Sequence, residues 1–410
     1  MKVRSAAFWS DRFPDRRQPA FPRLRSDVDT RVVVIGGGLT GCACAAALAS
    51  ARIPVVLVEA ERVGAGATAG ALGLVREDFD VSFSTTAQAH GLRAARALWQ
   101  AMRRASLEFP AALRRLGIKC DLAHQDLLHV AALDRIALKA LRREYDARRE
   151  AGLEHRWLTG PAVGRETALE SGGAIRMRSA VLDPYRACIG LASAAAERGA
   201  VLFERSDVRR IRAGRKSVEV LTSTALVRAE AVVIATGAPI ADLRPLRRHL
   251  QPRHGYGVVT EPLPAAVRRA LGQRAMVLRD MAEPPHFVRW LNDDRVLIEG
   301  ADQAPVALRA LEATLRQRTG QLMYELSLLY PAISGTQPEW SWSYSVDDTV
   351  DGLPYIGPHR NFPRHFFALG LGRHGVGTAW LAARLLLRHI TGEPAKGDEL
   401  FGFSRILTPH

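Results

Sequence analysis

The sequence predicts an α/β architecture, a Rossmann-like nucleotide-binding domain combined with a discontinuous α+β domain. Three observations carry this. Residues 32–59 run as apolar strand, glycine turn, small-residue helix and second apolar strand, ending in Glu59. A later apolar run, Val232-Val233-Ile234-Ala235, leads into Thr236-Gly237. The chain closes with a strand at 365–369, a glycine loop and an amphipathic helix over 376–391.

The remaining elements follow in order. Residues 1–29 are rich in Pro and Arg, with Phe8, Trp9, Phe13 and Phe21 interspersed, and read as an irregular arm whose aromatics pack on the body. Residues 62–76 are too glycine-rich for a regular element and read as a loop. From 90 to 115 apolar residues recur at helical spacing (Leu92, Ala95, Leu98, Trp99, Met102), and 134–151 reads as a second, highly charged helix. An alanine-rich helix over 186–198 stops at Gly199. Short strands are expected at 200–204, 217–221, 225–229 and 231–235, β-type alternation over 251–300, and a helix from Ala307 to Leu329, ahead of Pro331. The nucleotide-type elements are therefore split. Segments 1–84, 166–240 and 346–410 are assigned to the nucleotide-binding domain, and 85–165 and 241–345 to a substrate-facing domain. A chain of 410 residues is long enough for two cores.

Composition removes several classes. The net charge of +15 is carried mostly by arginine and spread along the chain. With no basic block interleaved with aromatics, a solvated surface is favoured over a specific nucleic-acid site, and an anionic substrate is the second reading. No apolar run reaches the roughly 18 residues of a membrane span, and no apolar segment follows Lys2 and Arg4 as a signal peptide requires. Cys42, Cys44, Cys120 and Cys188 form no C-x-x-C or zinc-type spacing, so no metal is expected. Their use as packing residues fits a reducing, cytoplasmic compartment.

The glycine turn carries the chemistry. Gly36 permits the tight turn, Gly38 lets backbone N–H groups approach a pyrophosphate, and Gly41 lets the helix pack closely on the sheet. Leu39 and Thr40 open that helix, whose N-terminus offers free N–H groups and a partial positive charge. Glu59 stands where a carboxylate accepts the ribose hydroxyls. The alternative, a glycine turn without a ligand, is disfavoured by the complete strand–helix–strand–acid context. Thr236 and Gly237 at the edge of a neighbouring strand favour FAD over NAD. Asp351-Gly352-Leu353-Pro354 is followed by Phe366–Thr378, again strand, glycine loop and helix, whose N-terminal dipole suits the flavin edge where negative charge builds on reduction.

These motifs resemble the family of FAD-dependent amine and amino-acid oxidoreductases that includes D-amino-acid oxidase, glycine oxidase, sarcosine oxidase and gamma-glutamylputrescine oxidase. The resemblance spans nearly the whole chain. Thr68 and Gly73 fit the family loop G-A-S/T-x-x-x-x-G, Asp183-Pro184-Tyr185-Arg186 fits its D-P segment, and Trp342-Ser343 with Asp351-Gly352-Leu353-Pro354 fits its W-S/A…D-G-x-P pattern. The aromatic arm is most similar to the gamma-glutamylputrescine oxidase branch. The resemblance implies an FAD-binding domain in which Gly36, Gly38 and Gly41 serve the pyrophosphate and Glu59 the ribose. It places Gly66, Ala67, Thr68 and Gly73 near the phosphates and ring, Val208 at the adenine, and Gly372, Arg373, His374, Gly375 and Gly377 at the isoalloxazine. FAD is expected to be noncovalent, since 64–75 holds neither His nor Cys.

The implied reaction is hydride transfer from a C–H beside an amine nitrogen to flavin N5, giving an imine, with oxygen, a quinone or a redox protein as acceptor. The catalytic candidates are Arg373, as carboxylate clamp or else as charge support for the reduced flavin or a surface salt bridge, His374 at the flavin edge, and Tyr256, in the strand expected to cover the substrate cavity, with His254 as a further candidate. Tyr344, His286 and Trp290 read as structural. Two departures from the family stand out. Gly70-Ala71 replaces a frequent Arg-Asn pair. Ser345-Val346-Asp347-Asp348 lacks the usual carboxylate-binding Arg and carries two acids, which suit an amine if they face the site but are expected to be solvated turn residues. Alternative functions are oxidation of a 2-hydroxy acid on the same fold and a flavin-holding subunit of a larger complex.

Overall fold

The computed structural model describes residues 3–238, 240–271, 273–373 and 375–405. Among them the strands form two eight-stranded sheets and one three-stranded sheet. The first is built around Val28–Ile35, which pairs in parallel with Val55–Val58 on one side and Leu226–Gly237 on the other. Val201–Phe203 extends it beyond Val55–Val58. Phe362–Leu369 runs parallel along the far half of Leu226–Gly237, with Tyr355–His359 antiparallel outside it. The hairpin Val208–Ala213/Val218–Thr222 pairs with the near half.

One face of this sheet carries the helix Leu39–Ser50, wedged between the helices Pro184–Glu197 and Val376–Thr391. Its Ala and Cys side chains, from Cys42 to Ala47, are buried all round, so this stretch is tightly packed by small residues. The opposite face packs Val33, Ile35, Val56, Val58 and Val232 against Leu24, Leu243 and Leu246.

The second sheet runs in the order Pro338–Thr349, Leu250–Thr260, Val296–Gln303, Phe287–Trp290, Met276–Arg279, Asp126–Ala131, Gly173–Met177 and Arg156–Thr159. All its pairs are antiparallel except that between Met276–Arg279 and Asp126–Ala131. The helix Leu311–Leu329 covers one face through Leu322 and Leu326, which join Tyr256, Val258, Ile298 and Tyr330 in a separate core. The third sheet joins Leu74–Arg76, Ser179–Val181 and Ala123–His124.

Several elements differ from expectation, each for a physical reason. The glycine-rich stretch 62–76 ends in a strand, Leu74–Arg76, because Leu182 N–H and the strand Ser179–Val181 pair with it. The expected strands 225–229 and 231–235 are one strand, Leu226–Gly237. Its first half is solvated on one face and alternates, whereas its second half is buried on both faces, so the sequence period changes inside one element. The arm contains a short helix, Phe8–Asp11. The division expected at 165/166 falls ahead of Gly173–Met177, whose partners are in the second sheet.

Among the described glycines, Gly41 leaves the least room for a Cβ. A Cβ on Gly41 would lie 1.8 Å from the Gly36 carbonyl oxygen. Gly41→Ala is therefore expected to lower stability by about 3 kcal/mol in urea unfolding. Gly320→Ala, in the helix Leu311–Leu329 with no atom within 4 Å of its built Cβ, is expected to raise stability by ~0.5–1 kcal/mol.

Candidate functional site

The glycine turn opens into a cleft of about 690 Å³ that runs across the end of the first sheet to the second. Gly38 is the N-cap of Leu39–Ser50, and its own atoms supply no side-chain cap; Leu39 N–H is held by Thr68 Oγ1 at 3.0 Å. Glu59 Oε2 accepts the Gly37 N–H at 2.5 Å and Oε1 the Glu61 N–H at 2.8 Å, which fixes the carboxylate beside the turn. Each oxygen keeps a second lone-pair direction for a hydroxyl donor. Beneath the turn, the Cys42 and Cys188 thiols, 3.6 Å apart, both donate to the Gly37 carbonyl. A side-chain-free turn, a helix start whose N-cap is glycine and an acid at the second strand end fit a bound dinucleotide.

The far wall comes from the second sheet. Gly257 pairs with Trp342 and Gly255 with Tyr344, so both rings lie over glycines; built Cβ atoms there would meet them at 2.3 and 2.5 Å. Trp342 Nε1 donates to Gly70 O at 2.9 Å, and Trp9 Nε1, from the arm, donates to Ala71 O at 2.8 Å. The two indoles clamp this loop, and a Cβ on Gly70 would lie 2.7 Å from Trp342. This accounts for the glycine at position 70. The Tyr344 hydroxyl donates to Glu299 Oε2 at 3.3 Å. Burial, followed by the Glu299 charge, pushes Tyr344 well above the usual phenol range.

A second cavity, of about 820 Å³, adjoins the cleft, and Gly372 and Arg373 line both. Its floor is a buried charge network. Asp78 faces Arg76 at 3.2 Å, Arg148 at 3.5 Å and Arg279 at 3.9 Å. Burial raises the Asp78 carboxyl, but the three guanidinium groups outweigh it and hold it below its ordinary value. Asp80 pairs with Arg76 at 2.7 Å and accepts the Arg373 N–H at 3.1 Å, tying the network to the loop shared by the two cavities. One wall is the segment 280–285. It is fastened by His286, whose Nδ1 lies 2.6 Å from Asp280 and whose Nε2 lies 2.8 Å from Glu325.

The sequence-predicted residues separate into two groups. Gly36, Gly38, Leu39, Thr40 and Glu59 line the cleft. So do Gly66, Ala67, Thr68 and Val208, and likewise Thr236, Gly237, Gly372, Arg373 and Gly375. Gly41, Gly73 and Gly377 do not. They serve packing, since Cβ atoms there would meet Gly36 O, Leu182 O and Met102 Cε respectively. His374 lies outside the described residues. Tyr256 lines neither cavity: its side chain is in the core under Leu311–Leu329, and its hydroxyl accepts from Gln303 Nε2 at 2.8 Å. His254, two residues earlier on the same strand, points to that same face.

Asp347 and Asp348 are not turn residues. They lie on the strand Pro338–Thr349, Asp347 on the cleft and Asp348 on the second cavity. Burial, then the neighbouring Asp348 charge, raises Asp347 above the usual carboxylate value. Arg373 is in an ion pair with Asp302, and both side chains are buried, at 11% and 2% exposure. Burial works against its charge, but Asp302 outweighs it and the pKa is raised. Asp302 and Glu299 escaped sequence reading because strict alternation would put them on opposite faces. With a bulge at Ala301, φ 55°, both reach side chains that line the cleft, Glu299 reaching Tyr344 and Asp302 reaching Arg373. Asp78, Asp80 and Arg279 escaped it as well, because only the folded chain brings Asp78, buried, and Asp80 and Arg279, half-buried, into one charge network.

Two outcomes follow. Arg373→Ala removes the guanidinium paired with the buried Asp302 carboxylate and is expected to cost about 3–5 kcal/mol in urea unfolding, while the double variant Arg373→Met/Asp302→Leu costs less. For His286, burial lowers the pKa but Asp280 and Glu325 outweigh it, so the folded value lies above 6.5. Its contribution is fully present below the unfolded pKa and is lost as pH rises through the raised folded one. The stability difference between the wild type and Glu325→Gln, measured between pH ~5 and ~9, should shrink as pH rises.

Comparison with known proteins places this geometry. The family profile described as FAD dependent oxidoreductase, DAO, matches residues 31–388. A protein named probable oxidoreductase OrdL from Haemophilus influenzae is 26% identical over 391 residues, covering 93% of this chain and 88% of the relative. The gamma-glutamylputrescine oxidoreductase of Escherichia coli is 25% identical over 382 residues, covering 92% and 87%. The crystal structure of glycine oxidase from Geobacillus kaustophilus superposes with a TM-score of 0.78 at 24% identity, covering 93% of this chain and 100% of that one, and so shares the fold. The chain belongs to the DAO family of FAD-dependent oxidoreductases.

Proposed function

We propose that this FAD-dependent oxidoreductase oxidises a C–N bond of an amine or amino acid to an imine, with FAD held noncovalently. The observation that carries the reading is the junction of two cavities at one loop: a nucleotide cleft and a separate chamber that share Gly372 and Arg373. Names of relatives that act on gamma-glutamylputrescine and on glycine support it.

Bound FAD supplies the hydride acceptor for a C–H placed beside it. The chain's own residues bind and orient. The amides around Gly36 and Gly38 hold the pyrophosphate, and Glu59 takes the ribose. Asp347 and Asp348, at the border of cleft and chamber, offer negative charge to a substrate nitrogen. Tyr344 keeps its proton at neutral pH and donates it to Glu299, so this wall presents a fixed hydrogen-bond network rather than a titrating base. Trp342 and Leu371 close the cleft with apolar surface and limit water. Positioning, with little acid–base chemistry, is sufficient when the amine reacts in its neutral form.

The purified protein should show flavin absorption that acid precipitation releases into the supernatant. Anaerobic addition of amines or amino acids should bleach it; bleaching by 2-hydroxy acids alone would overturn the reading. Readmitting air or a quinone then identifies the acceptor. Gly38→Glu puts a charged side chain at the pyrophosphate position and should yield folded protein without flavin; a full flavin spectrum in that variant contradicts the assignment of the cleft.

A further inference from the structure

We propose that Arg279 is the anion-recognising side chain of the second cavity and that the amine oxidised beside it carries a carboxylate; the substrate half of this statement rests on the amine-oxidation reading above. Two guanidinium groups line the cavity, Arg373 and Arg279. Arg373 is committed to Asp302. Arg279 is not matched in this way. The carboxylate it faces, Asp78, is 3.9 Å away and is approached more closely by Arg76 and Arg148. Its Nη2 donates to a neutral acceptor, the Asp80 carbonyl, at 3.2 Å. Its Nε is buried without a hydrogen-bond partner. A guanidinium has five N–H donors, so donors remain for a ligand. Burial, then repulsion by Arg76, lowers the Arg279 pKa to about 10, the mark of a cation whose surroundings do not fully compensate it.

A second donor stands beside it. His129 is the register partner of Arg279 across the parallel pair of strands and lines the same cavity. Its Nδ1 is buried without a partner. Burial and the charges of Arg279, Arg148 and Arg76 hold the imidazole well below 6.5. It is therefore neutral at physiological pH and can carry its proton on Nδ1. A planar carboxylate matches this pair: two oxygens for the guanidinium fork, one shared with the imidazole N–H.

Several acids of the cavity are taken up by cations of the chain. Asp80 is engaged by Arg76, Asp280 by His286, and Asp351 by Arg405 at 2.6 Å. The volume of about 820 Å³ leaves room for a substrate longer than a simple amine, with its nitrogen toward Gly372 and its carboxylate toward Arg279.

The test uses the oxidised holoenzyme and two isosteric probes, propionate and propionamide, titrated by calorimetry and by thermal shift. Propionate should bind and raise the melting temperature, propionamide should not, and Arg279→Gln should weaken propionate by about 10- to 100-fold. If Arg279→Gln fails to fold, Arg279→Lys, which keeps the charge but loses the fork, should weaken it in the same direction. Equal binding of the two probes by the wild type, or unchanged propionate affinity in the folded variant, overturns the proposal. In parallel, anaerobic bleaching is compared for butylamine and 4-aminobutanoate. The wild-type preference for the carboxylated member should fall in the variant, and absence of any preference in the wild type overturns the carboxylate assignment. Propionate binding without bleaching by any amine would leave Arg279 as an anion site and remove the amine chemistry. Bleaching without propionate binding would do the reverse.

Discussion

The approach of the helix Leu39–Ser50 to the glycine turn is the constraint on which the rest depends. With Gly41 against the Gly36 carbonyl, the helix start is fixed over the ends of the parallel strands. Glu59, Thr236 and Gly237 then fall on one edge, because the strands that carry them are in register with Val28–Ile35. The helix can come this close because Gly41 faces the turn and the buried stretch Cys42–Ala47 is all Ala and Cys. A larger side chain there would separate it from its neighbours Pro184–Glu197 and Val376–Thr391, and the latter helix begins at the loop that borders both cavities.

The second sheet completes the site by an opposite device, glycines on the sheet rather than on the helix. Gly255 and Gly257 leave space for Tyr344 and Trp342, whose rings form the wall, and Trp342 reaches Gly70 on the first domain. Charge joins the two halves as well. Asp80 links Arg76 to the Arg373 amide, and Arg373 in turn pairs with Asp302 on the second sheet. Buried pairs of this kind contribute little net stability relative to apolar packing, but they tolerate only one arrangement of partners. Here they hold the loop that borders both cavities.

The nucleotide half of the site was legible from sequence because its requirements are local. Turn, helix start and acid lie within one βαβ unit, and each residue type has a steric or electrostatic reason to be there. Even so, Gly73 and Gly377, assigned to the cofactor by motif, meet Leu182 O and Met102 instead. A glycine motif records that space is needed without saying what occupies it.

The substrate half was not legible in the same way. Asp347 and Asp348 resembled turn residues because nothing in the chain announces that the strand continues to Thr349. Tyr256 alternates correctly, but toward the helix Leu311–Leu329, and which face meets the cofactor is decided by that helix. Asp302 reaches Arg373 only through a bulge, and Arg279 meets His129 only through strand pairing across 150 residues of chain. The sequence by itself determined the α/β class, the glycine-turn geometry and the order of the nucleotide-binding segments, since these follow from short-range periodicity and from the steric freedom of glycine. Tertiary structure alone decided which charges are buried, which are matched, and which guanidinium remains available at the cavity floor, because burial and pairing are properties of strands brought together from distant parts of the chain.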